Sequence, residues 1–212
     1  MISWNPCPFI FIHIPRCAGT SIEKALIPLT TKATKIGQLS GSDLATHWLP
    51  GGGHGRQHAK LTVVGTHVPL GHFFKFTFVR NPWARAVSQI RYLQTGTQDL
   101  PFTGKDFQKN LWLYCQKLEM SHGHDLGVCQ LDYLVDTRGR MAMDFVGRFE
   151  NLEKDFKTIC QKLGVKQPPK LPHLHASRRA RPYQDYYDKK TTDWIRRRFA
   201  KDIEYFSYEF DE

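Results

Sequence analysis

The stretch PFIFIHIPRCAGTS, residues 8 to 21, carries the fold in miniature. Phe9 to Ile12 is a β-favouring apolar run held between Pro8 and Pro15, the pattern of a strand buried on both faces of a parallel sheet. Arg16 to Ser21 follows as a polar turn, and Ile22, Ala25 and Leu26 then recur at helical spacing until Pro28, where a helix should stop. Strand, turn and helix in that order are the repeating unit of an α/β domain.

The same order returns downstream. Phe73 to Val79 (FFKFTFV) is rich in strand formers, Asn81 suits an N-cap and Pro82 the first helical position. Trp83, Ala86, Val87, Ile90 and Leu93 then mark one apolar helix face, ending near Gly96. Leu61 to Gly65 reads as a further strand, and Phe107, Leu111, Tyr114 and Leu118 as a helix. Asp144 to Phe149 (DFVGRF) reads as a strand feeding a helix whose apolar residues are Leu152, Phe156, Ile159, Cys160 and Leu163, with Gly164 as terminator. A last helix places Ile195, Phe199, Ile203 and Phe206 on one stripe. The glycine-rich segment from 30 to 60, with a short helix near Asp43 to Trp48, is a loop placed to cover a site. The alternation predicts a single α/β domain across residues 1–212. Its form is a P-loop-like three-layer sandwich, with a central parallel sheet and helices on both faces.

Composition agrees with one folded core. The chain has 212 residues, 41% hydrophobic and 13% aromatic, which excludes disordered and collagen-like architectures. Phe9 to Ile12 is far short of the ~20 apolar residues of a spanning helix, so no transmembrane segment is expected. Five cysteines (Cys7, Cys17, Cys115, Cys129 and Cys160) are odd in number and lack CxxC spacing, unlike a disulfide framework. No basic-then-apolar signal stretch precedes the first strand. Both features point to the reducing cytoplasm.

Thirty Lys and Arg against 20 Asp and Glu leave a formal charge of +10, which favours anionic partners. Between Lys166 and Lys201, eleven Lys or Arg face three Asp. Nucleic acid is a poor candidate, because no helix-turn-helix, zinc-finger spacing or aromatic RNA-binding signature accompanies the charge.

Two turns suit a smaller anion. Pro15 to Ser21 sets a cation, a glycine and two hydroxyls at a helix start, where unpaired amides and the helix dipole attract phosphate or sulfate. Its plainer reading is an ordinary strand-helix turn capped by Thr20 or Ser21. A nucleoside-triphosphate loop, GxxxxGK[ST], would need glycine and lysine where Ile14 and Thr20 stand, which disfavours a kinase. At the second turn Arg80 closes a strand and Ser88 lies about two helical turns on, a bidentate fork and a hydroxyl for one anion.

IHIPRCAGTS at 12–21 and FTFVRNPWARAVS at 76–88 together resemble the carbohydrate-type, family 2 sulfotransferases, the group of the heparan and uronosyl 2-O-sulfotransferases. The likeness extends through GTH at 65–67, FVGRFENLEKDF at 145–156, LPHLHAS at 171–177 and the closing segment from Tyr186. The resemblance implies transfer of the sulfuryl group of 3'-phosphoadenosine 5'-phosphosulfate (PAPS) to a hydroxyl-bearing acceptor, an acidic glycan among the candidates, without a metal. It implies that Arg16, Cys17, Ala18, Gly19, Thr20 and Ser21 grip the 5'-phosphosulfate, that Arg80 and Ser88 hold the 3'-phosphate, and that Ser177 and Arg178 add contacts. His67 occupies the place of the family's catalytic base, with His72 as its neighbour and alternative. Arg16 stands where the family usually has lysine; it keeps the charge at the leaving oxygen but cannot give up a proton at neutral pH. The other histidines lack the local cysteine or carboxylate partners of a zinc site. A non-catalytic anion or nucleic-acid binder, or a divergent nucleotide kinase, is the competing assignment.

Overall fold

The computed structural model describes residues 2–3, 8–30, 33–34, 58–66, 68–95, 107–120, 127–172 and 181–211. These fall in two compact units, Met1–Val79 with Gln130–Ala176 and Arg80–Cys129 with Ser177–Glu212. The described strands are β1 (Ile2–Ser3), β2 (Phe9–Ile12), β3 (Ala33–Thr34), β4 (Phe74–Val79) and β5 (Phe145–Arg148). The described α-helices are α1 (Gly19–Leu26), α2 (Leu61–Gly65), α3 (Pro82–Thr95), α4 (Phe107–Met120), α5 (Leu152–Lys162), α6 (Lys189–Arg198) and α7 (Ala200–Phe206).

The first unit holds one sheet in the order β3-β1-β2-β4-β5. Its centre is parallel, β2 pairing β4 from Phe9↔Phe74 to Ile12↔Thr77 and β4 pairing β5 from Phe76↔Phe145 to Val79↔Arg148. β1 instead runs antiparallel to both β2 and β3. The expected parallel sheet therefore forms the centre, and β1 and β3 extend it as a mixed sheet. Strands of two residues leave no periodicity to read, and an antiparallel edge on a parallel sheet is a common arrangement.

Burial explains the central register. All four residues of β2 are buried, and the Phe11 and Phe76 rings stack at 5.2 Å. Fully buried Thr77 donates its hydroxyl to the Ile12 carbonyl at 2.8 Å, so this polar side chain is satisfied inside the layer. At Gly147 a Cβ would lie 2.6 Å from Phe78 Cε1, so glycine makes room for that ring.

Most expected elements stand where the pattern put them. α1 ends at Leu26 and Pro28 lies in a 3-10 turn. Gly164, at φ 71°, closes α5, and its neighbour Val165 returns an N–H to Cys160 at 2.8 Å. Leu61 to Gly65 is a correction: it is helix α2, not a strand. Only Leu61 and Val64 of it are buried, a three-residue spacing that a helix turns to one side and a strand would split between faces. The short helix expected near Asp43 to Trp48 lies outside the described residues.

The second unit is helical. Trp83 and Ile90 of α3, Leu111 and Leu118 of α4, and Trp194 and Ile195 of α6 share one core with Phe199. The final helix is another correction, since it breaks into α6 and α7 at Phe199, whose φ of −111° and ψ of 28° leave helical geometry. The stripe survives the break: Ile195, Phe199 and Phe206 are buried and Ile203 packs on the core.

Candidate functional site

The turn after β2 has an unusual backbone. Arg16 and Ala18 adopt positive φ, 67° and 62°, a left-handed conformation that costs a side-chain-bearing residue about 1–3 kcal/mol and tends to persist at binding sites. Consecutive amides around such residues form anion-holding concavities. The carbonyl of Ala18 accepts from the Ser21 and Ile22 amides at 3.0 and 3.1 Å, starting α1. Among the described residues the amides of Gly19 and Thr20 meet no acceptor, as expected of first-turn donors. α1 has no acidic residue in its first turn, so the dipole there is not offset.

Side chains in this turn divide by direction. Arg16 is half-buried and Thr20 exposed, while Ser21 is buried. Cys17 is buried, its single S–H within reach of two acceptors, Gln130 Oε1 at 3.3 Å and the Pro15 carbonyl at 3.6 Å from Sγ. Its side chain thus anchors the turn from within. Gly19 sits directly on His13: a Cβ there would overlap Cδ2 and Nε2 of the ring. His13, itself buried, places Nδ1 3.3 Å from the buried Glu23 carboxylate.

In the second unit, Asn81 does what an N-cap must. Its Oδ1 accepts from the Trp83 and Ala84 amides at 3.1 and 3.4 Å, and its Nδ2 donates to the Glu209 carbonyl at 2.7 Å. Trp83 Nε1 donates to the Thr192 carbonyl at 3.1 Å, and the Tyr187 hydroxyl to the Trp83 carbonyl at 2.9 Å. Burial holds the Tyr187 pKa well above that of an ordinary phenol, so this hydroxyl stays a donor. The start of α3 is thereby clamped, with half-buried Arg80 before it and half-buried Ser88 inside it.

The predicted residues are thus placed as two sets. Arg16, Cys17, Ala18, Gly19, Thr20 and Ser21 share one turn in the first unit, and Arg80 and Ser88 flank one helix start in the second. His67, Ser177 and Arg178 lie outside the described residues. His72 is exposed and ends a 3-10 turn at Leu70–His72. The sequence reading missed His13, Glu23, His58 and Gln130. Glu23 was within reach, being one helical turn from Gly19 and so on the same face; Gln130 stands 113 residues from Cys17 and carried no signal.

Residues 5–209 match the Sulfotransferase family. The chain belongs to that family. Over 218 residues it is 22% identical to human (Homo sapiens) carbohydrate sulfotransferase 9, covering 92% of this chain and 46% of that protein. Over 94 residues it is 30% identical to an uncharacterized protein of Archaeoglobus fulgidus, 44% of this chain and 69% of that protein. The sulfotransferase chain therefore spans less than half the length of its human relative. No solved structure matches it. The resemblance read from the two motifs is borne out, and the α/β architecture agrees with it. Among the described residues no helix is long and apolar enough to cross a membrane, and no group of three or more His, Cys, Asp or Glu could hold a metal ion.

Proposed function

We propose that this sulfotransferase moves the sulfuryl group of PAPS to a hydroxyl, working as one catalytic domain on a P-loop-like three-layer framework, with a carbohydrate as acceptor. The observation that carries the reading is the Pro15–Ser21 turn, with two non-glycine residues in the left-handed region and donor amides opening α1. Its chemistry fits a phosphosulfate: backbone donors, two hydroxyls and one permanent cation, with no carboxylate in the first helical turn.

PAPS brings an activated sulfur whose bridging oxygen departs with the adenosine bisphosphate. In this reading His67 accepts the acceptor's hydroxyl proton while the acceptor oxygen bonds to sulfur and the bond to the bridging oxygen breaks. An imidazole with pKa near ~6.5 suits that transfer at neutral pH and is typically worth ~100- to 10,000-fold. Arg16 and the amides of Gly19 and Thr20 receive the charge that builds on the departing oxygen. A preorganised donor at such a position contributes ~3–4 kcal/mol. Arg80 and Ser88 hold the 3'-phosphate, and Ser177 and Arg178 add contacts to the nucleotide.

Transfer of radiolabelled sulfate from PAPS to a panel of sugars and other alcohols tests the activity. His67→Ala should remove turnover by at least ~100-fold and leave adenosine 3',5'-bisphosphate binding intact. A variant that keeps most of its turnover would move the base elsewhere, His72 first.

A further inference from the structure

The buried polar group beneath the Pro15–Ser21 turn has no part in the mechanism above. His13 follows the last residue of β2, and its Nδ1 meets Glu23 Oε1 at 3.3 Å. The opposite edge of the same ring abuts Gly19. Gly19 and Glu23 lie one turn apart on α1, so a single imidazole spans from the strand end to two successive turns of the helix. His58, half-buried, donates from Nδ1 to the His13 carbonyl at 2.9 Å, and its ring meets the His13 ring edge-on at 4.7 Å. The strained residues Arg16 and Ala18 fall between the fastened points.

A purely structural role has simpler solutions. Replacing a buried ion pair by packed apolar residues is often neutral or stabilising, whereas a satisfied polar network defines one geometry. Left-handed conformations at Arg16 and Ala18 persist only where the surroundings over-determine them. The His13 ring, held at one edge by Glu23 and pressed against Gly19 at the other, sets the spacing between the two ends of the turn.

We propose that Glu23 and His58 are positioning residues for the anion-binding turn, acting through His13 to aim the Gly19 and Thr20 amides at the 5'-phosphate group of the donor nucleotide. This rests on the donor-site reading given above. Calorimetry with two nucleotides separates the possibilities: adenosine 3',5'-bisphosphate carries the 5'-phosphate and adenosine 3'-monophosphate lacks it. Glu23→Ala should raise the Kd for the bisphosphate about 10-fold, since misplacement near 1 Å is costly in preorganised sites, and leave the monophosphate unchanged. Glu23→Gln, whose amide oxygen accepts from the same Nδ1–H, should return the affinity to the wild-type range. His58→Ala, at a half-buried position, carries the same selective loss and decides the matter should Glu23→Ala not fold. Equal losses for both nucleotides, unchanged binding in a folded variant, or no rescue by glutamine overturns the positioning role alone. A wild-type protein that binds neither nucleotide overturns the donor site and this inference with it.

Discussion

Arg80 immediately precedes a helix start that several bonds hold in place. Asn81, Trp83 and Tyr187 each fasten the first turn of α3, so Arg80 is presented from a rigid mount. A hydrogen bond to a charged group is worth ~1.5–3 kcal/mol, and a tenfold change in affinity corresponds to ~1.4 kcal/mol. Arg80→Ala should therefore weaken adenosine 3',5'-bisphosphate by roughly 10- to 150-fold. Adenosine 5'-phosphosulfate, which has no 3'-phosphate, should bind as before. Comparable losses for both ligands in a titration would make Arg80 a structural residue. Much of this was legible beforehand, because an arginine at a strand end and a cap before a proline are local patterns. The clamp by Thr192, Tyr187 and Glu209 was not, since those partners lie more than a hundred residues along the chain.

Among elements, α6 has the clearest start. Asp188 Oδ1 accepts from the Thr191 amide at 2.8 Å, and Thr191 Oγ1 accepts from the Asp188 amide at 3.1 Å, a reciprocal capping box. The Thr191 hydroxyl, which also donates to Asp188 Oδ1 at 2.6 Å, and then the Thr191 amide hold the Asp188 carboxyl below its ordinary pKa. A carboxylate whose pKa falls on folding stabilises the fold above its unfolded value near ~3.9, and that contribution fades as pH drops through the folded value. Asp188→Asn keeps a good cap but removes the charge. Thermal unfolding at pH 7 and pH 3 should show a smaller acid-induced loss in Asp188→Asn than in wild type. Identical losses would leave this cap without a part in acid sensitivity. The elements that sequence reading misplaced share a cause. α2 is five residues long, β1 and β3 are two each, and the break at Phe199 interrupts a continuous stripe; none is long enough, or irregular enough in composition, to leave a periodic trace.

At the scale of the whole molecule, the described cysteines Cys17, Cys115, Cys129 and Cys160 are all buried thiols outside any disulfide, two in each unit. Burial pushes the Cys160 thiol up to about 11, so the reactive thiolate is scarce near neutral pH. Iodoacetamide at pH 8 should leave Cys160 unmodified in the native protein and label it fully in denaturant, read by peptide mass spectrometry. Rapid native labelling would show that this side of the first unit opens readily. The amino-acid sequence on its own determined the two strand-turn-helix motifs and the family, because each is written in contiguous residues whose spacing and chemistry act locally. Tertiary structure alone decided what lies under the first turn. His58 comes from 45 residues beyond His13 and Gln130 from 113 beyond Cys17. Contacts of that span follow from how the chain packs, and no period or spacing along it records them.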